Sequence, residues 1–136
     1  MSPLRSNRAR RGSSAIEAAM VMPILLTLFG GTVDSAMYLY QRSVVADAAQ
    51  AGARKGAVAE DVDAISADAT AAAQARLAEG GVPLTGSTVT ATKSTGSTTM
   101  ITVVVTAPFS SFTNLLPMPS SLSATATSHF ENTSAS

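Results

Sequence analysis

From Ala18 to Val33 the chain carries no charged residue, and the wider segment 13–33, SSAIEAAMVMPILLTLFGGTV, holds only Glu17. About 20 mainly apolar residues cross a bilayer core of roughly 30 Å, so this segment predicts a membrane span. Beyond it the apolar positions become periodic. Val33, Met37, Tyr40, Val44, Ala48 and Ala51 recur at steps of three and four, the spacing of one helix face. Asp34, Gln41, Asp47 and Arg54 are placed on the opposite side. A single helix from residue 13 to about 56 would be about 65 Å long, the first half in lipid and the second a projecting stalk.

Gly52 and Gly56 weaken the helical signal locally. A second, Ala-rich helix is predicted after Glu60, with Asp61 as its N-cap. Val62, Ile65, Ala69, Ala72, Ala73 and Leu77 form its apolar face, and Gly80-Gly81 followed by Pro83 stops it. From residue 85 the composition turns to Ser, Thr and Val. Residues 88–93 alternate with period two, Ser94–Ser97 make a turn, and 99–106 place Ile101, Val103 and Val105 on one face. Pro108 ends that strand, and 109–120, with Pro117 and Pro119, reads as a loop. Leu122, Ala124, Ala126 and Phe130 then alternate with Ser123, Thr125, Thr127 and His129 as a third strand. The expectation is an α+β chain: one long helix, a second helix and a small antiparallel sheet with one buried face.

Charge sharpens this picture. Nine basic and nine acidic side chains cancel, but the first twelve residues hold Arg5, Arg8, Arg10 and Arg11 and no acid. A leader of +4 thus precedes a body of −4. Basic residues on one flank of a span stay cytoplasmic, which places everything after Val33 outside. The balanced total argues against a nucleic-acid binder working through a large basic surface. The chain has no Cys and no Trp, one His, 46% apolar residues and only 4% aromatic ones. Disulfides, Cys-based zinc sites and Cys nucleophiles are excluded.

No nucleophile has a base near it by any recognisable motif, and there is no Gly-rich phosphate loop. Neither an enzyme, a cofactor, a metal nor a small-molecule substrate is expected. The acids Glu60, Asp61, Asp63 and Asp68 lack the spacing of an oxygen-ligand loop and suit a helix start, where the dipole favours negative charge. His129 falls on the polar face of its strand. Pro23 and Gly30-Gly31 are points at which a spanning helix bends or lets another helix approach.

The residue that a plain anchor or a signal peptide leaves unexplained is Glu17, because a carboxylate in a span is costly. Read as RARRG followed by SSAIEAAMVMPILL, the chain places a possible cut after Gly12, makes Ser13 the new first residue, and puts Glu17 fifth. The run of basic residues, Gly12, four small or apolar residues, Glu17 and an apolar stretch containing Pro23 resembles a type IV prepilin junction. More closely, it resembles the TadE-like family of pilin-like proteins from tight-adherence (Flp-type) pilus loci. The resemblance covers the first sixty or so residues and extends only loosely to the Thr/Ser/Val-rich part.

The resemblance implies a pilin-like fold divided into a leader 1–12, a span 13–33, an extracytoplasmic domain 34–130 and a polar tail 131–136. It implies a minor pilin or pseudopilin that is held in the bacterial cytoplasmic membrane, takes part in pilus assembly and surface attachment, and can enter a cell-surface pilus. It also implies partners: a prepilin peptidase acting at Gly12–Ser13, the major Flp-type pilin, other minor pilin-like subunits and the secretion platform. Glu17 would pair with the terminal amine of a neighbouring subunit. Ala18 departs from the aromatic or large apolar residue common beside that Glu in the family, and the 124 residues after the cut exceed the length of the small major pilins. Two alternatives stay open from the residues themselves: an uncut membrane-anchored binding module, and a secreted domain released by signal peptidase after Ser35.

Overall fold

The structure, a computed structural model, describes residues 6–59, 64–95 and 99–129; the side chains of residues 6–14 and of Thr95 lie outside the description. Helix α1 runs Ser6–Ala57, α2 Ile65–Glu79, and three strands follow: β1 Thr88–Thr95, β2 Thr99–Pro108 and β3 Ser121–His129. They form an antiparallel sheet in the order β1-β2-β3. The two helices cover one face of it, α1 lying over β2 and β3 and α2 against α1 and β1. The arrangement is the expected α+β one, built as two layers around a single core.

The sheet follows its period-two pattern. Ile101, Val103, Val105 and Ala107 of β2 point into the core. Their cross-strand partners on the same face include Val89 and Ala91 of β1 and Leu122, Ala124 and Ala126 of β3. The other face is a field of hydroxyls, in which Thr102 and Thr127 approach to 3.4 Å and Thr106 donates to Ser123 at 3.3 Å. Phe130 and the tail 131–136 lie outside the described residues.

Helix α2 buries Ile65, Ala69, Ala73 and Leu77. Its start differs from expectation. Ala64, without a side-chain cap, precedes the first turn; Glu60, Asp61, Val62 and Asp63 lie outside the described residues. Its end is a full Schellman motif. Gly81 sits at φ +70°, the Gly81 N–H donates to the Ala78 carbonyl, and the Val82 N–H donates to that of Leu77. Val82 and Leu77 are both buried, which supplies the hydrophobic contact that accompanies the motif.

The stalk half of α1 faces the core with a different side from the one its larger apolar residues predict. Met37 and Tyr40 are exposed, whereas Asp34, Val45, Ala48, Ala49, Gly52, Ala53 and Gly56 are buried. The buried stripe is displaced from the predicted one by one residue, a rotation of about 100°. Close approach explains the choice. A Cβ at Gly52 would lie 2.8 Å from the backbone oxygen of Ala69, and one at Gly56 would lie 3.1 Å from the Ala69 Cβ. The glycines that weaken α1 as an isolated helix let α2 pack directly on its backbone.

Gly52→Ala therefore has two opposed effects. Helix propensity gains ~1 kcal/mol, and overpacking against a backbone oxygen costs about 1–3 kcal/mol. Denaturation of the detergent-solubilised chain is expected to show net destabilisation. Gly81→Ala, with open space around it, is expected to cost about 1 kcal/mol through its backbone conformation alone.

Candidate functional site

Residues 15–29 of α1 are exposed without exception. Ile16, Met20, Val21, Met22, Ile24, Leu25, Leu26, Leu28 and Phe29 form an apolar surface on all sides, the pattern of a helix surrounded by lipid. Among the described residues, α1 is the helix long and apolar enough to cross a membrane. It continues through Pro23, where the Thr27 hydroxyl donates to the Pro23 carbonyl at 2.8 Å. Glu17 lies on this exposed stretch. Gly12 and Ser13 are helical positions, as are Arg8, Arg10 and Arg11, and Arg5 lies outside the described residues.

The domain begins where the exposed surface ends. Gly30 is the first buried position of α1 after the exposed residues 15–29, and a Cβ there would meet Thr113 Cγ2 at 3.0 Å and Leu115 Cδ1 at 3.1 Å. One at Gly31 would meet Leu116 Cδ1 at 3.4 Å. Within the chain, the segment that uses this glycine pair for close approach is the 109–120 loop, rather than a helix.

One turn further on stands Asp34, fully buried. Its Oδ1 accepts the Phe112 N–H at 2.8 Å and the Thr113 N–H at 3.2 Å, while Oδ2 accepts the Thr113 hydroxyl. This corrects its placement on the solvent side. A buried carboxylate is stable only when it is paired or hydrogen-bonded, and the loop brings three donors from 78 and 79 residues away. The Thr113 hydroxyl does most to hold the Asp34 carboxyl below its usual range, burial opposes this, and the Thr113 and Phe112 amides add to the lowering.

The base of the loop is fixed as well. The Phe109 N–H donates to the Ser120 carbonyl at 2.9 Å, and the Phe109 ring meets Tyr38 edge-on with centroids 5.3 Å apart. At the tip, Asn114 adopts φ +54°, and its side-chain oxygen accepts the Ser111 hydroxyl at 3.2 Å. An open concavity of about 350 Å³ between Phe109 and Ser120 has no titratable side chain in its lining. Among the described residues, no group of three His, Asp or Glu could hold a metal, and His129 is exposed at the end of β3. What the geometry does show is a loop clamped to the helix at the end of its apolar stretch.

A family model described as TadE-like protein matches residues 12–54. The match spans the exposed stretch, the glycine pair, Asp34 and most of the core-facing half of α1, and it stops before α2 and the sheet. No curated protein matches the chain, and no solved structure does. The chain therefore combines a TadE-like N-terminal region with a small α+β domain carried on the same helix.

Asp34→Ala strands two amides and a hydroxyl, so hydrogen exchange at Phe112 and Thr113 is expected to accelerate while β2 keeps its protection. The pH dependence has a definite sign. With the native carboxyl lowered, its contribution is complete above the unfolded-state range and is lost as pH falls through the native value. The acid limb of thermal stability should flatten in Asp34→Asn; an unchanged limb would mean the contribution lies elsewhere.

Proposed function

We propose that this protein is a minor pilin or pseudopilin of a tight-adherence (Flp-type) system, pilin-like in fold and working by assembly rather than catalysis. It is made with a basic leader, inserted with the arginines cytoplasmic, and cut between Gly12 and Ser13. The observation that carries this reading is the TadE-like match over 12–54, which coincides with a helix exposed and apolar over 15–29. The match starts at the proposed scissile glycine and leaves the arginine-rich leader outside.

Each residue has a role in this scheme. Arg5, Arg8, Arg10 and Arg11 hold the junction on the cytoplasmic face. Gly12 offers a backbone without a side chain to the peptidase cleft. Glu17 meets the terminal amine of another subunit, such as the major pilin or a sister minor pilin, as the helices gather on the secretion platform. The domain from residue 34 onward stands outside the cytoplasmic membrane and reaches the cell surface if the subunit enters the pilus, where it serves attachment.

One alternative has a specific observation in its favour. Helix α1 passes without interruption across Gly12–Ser13, which suits an uncut anchored binding module. Release by signal peptidase after Ser35 fits less well, since it would separate Asp34 from the loop whose donors it accepts.

The deciding measurement is the N-terminus of the protein extracted from membranes of its own host. The assembly reading expects Ser13; Met1 or Ser2 supports the uncut anchor, and Ala36 the secreted form. Gly12→Glu is expected to abolish maturation. Glu17→Ala is expected to be cut normally but to incorporate poorly, and normal piliation by both variants would overturn the roles given to them.

A further inference from the structure

The length of exposed helix sets a constraint that the loop answers. On the reading of α1 as a membrane anchor, the basic residues up to Arg11 limit the span on the cytoplasmic side, whether or not the chain is cut. From Ser13 to Phe29, before the loop covers Gly30, there are 17 residues, about 25 Å of helix. A hydrocarbon core is roughly 30 Å thick. The far boundary of the bilayer therefore falls at the level of Gly30–Asp34, where the 109–120 loop is docked.

That loop has the chemistry of this depth. Its sequence FSSFTNLLPMPS contains no charged residue. Phe112, Leu115 and Leu116 are 81%, 50% and 40% exposed, and the two leucines adjoin the glycine pair of α1, continuing its apolar surface sideways. Ser110, Ser111 and Asn114 supply polar groups suited to the headgroup layer. Irregular backbone near lipid requires partners for its N–H groups. Here Phe112 and Thr113 donate to Asp34, Phe109 donates to Ser120 and Leu115 donates to the Thr113 hydroxyl. Pro117 and Pro119 have no N–H to satisfy.

We propose that the 109–120 loop is a second membrane contact, a foot beside α1 that sets Phe112, Leu115 and Leu116 into the outer interfacial region of the bilayer. Asp34 supports this by accepting the Phe112 and Thr113 N–H groups from within. The domain is consequently held against the membrane at two points, which fixes its tilt before any assembly step.

The chain has no Trp, so a single introduced indole reports its own surroundings. Full-length Phe29→Trp, Phe112→Trp and Thr92→Trp are reconstituted into phosphatidylcholine vesicles with and without acyl-chain-brominated lipid, and quenching is compared with that by aqueous iodide. Phe29 lies on the bare helix and Thr92 on the exposed face of the sheet. The expected result is bromine quenching and iodide protection at positions 29 and 112, and the reverse at 92. Quenching of position 29 alone, with 112 open to iodide, overturns the foot and leaves the anchor standing. Protection of 112 from both quenchers that grows with protein density assigns the patch to a second copy and likewise overturns it. Failure of bromine to reach position 29 removes the anchor and the foot together.

Discussion

The Asp34 carboxylate joins the two halves of this molecule. It sits on α1 immediately after the apolar stretch, and its donors come from the connection between β2 and β3. Without it, the loop would hold through apolar contacts alone, at Gly30 and Gly31, in the Tyr38–Phe109 edge contact and where Phe109 and Met118 meet the core. With it, a segment lacking regular structure acquires a fixed position at the end of the bare helix. The interaction works because it is complete: each carboxylate oxygen is engaged, and no buried side-chain polar atom among the described residues lacks a partner. A carboxylate half satisfied at this depth would weaken the fold.

Small side chains shape the rest of the core. Ala48, Ala49, Ala53, Ala69 and Ala73 are buried between the helices with Gly52 and Gly56, and the larger buried groups, Ile65, Leu77, Ile101, Val45, Val103 and Val105, come from both layers. Such an interface gains cohesion from short separations rather than from large buried rings. Intolerance at the contact points follows, most sharply at Gly80, where a Cβ would collide with Val44.

Much of this architecture could be read from the chain. The uncharged run from Ala18 to Val33 marks most of the bare helix, although the loop covers it from Gly30 onward; alternation marks Ile101, Val103 and Val105 as inward, and Gly80-Gly81 marks the end of α2. The orientation of α1 about its axis is only partly legible: Ala48 and Val44 do meet the core, but the larger residues Met37 and Tyr40 point away from the tight face that glycines and alanines define. A row weighted by smallness, through Ala48, Ala49, Gly52, Ala53 and Gly56, extends back to Asp34 and would have flagged it. The donors could not be anticipated: the loop has no period, and its partners lie far away in sequence. Glu17 and the Gly12 junction belong to a different kind of inference, since the roles proposed for them lie in contacts with other polypeptides.

Because lipid-facing and core-facing residues share one continuous helix, they also share one angular phase. Inserting or removing a single residue between Gly31 and Val45 would turn the remainder of the domain by about 100° relative to the lower helix, and would carry Asp34 or Val45 away from its seat. Along this stretch α1 is geared: the domain can present itself at only one azimuth about the axis of the exposed helix.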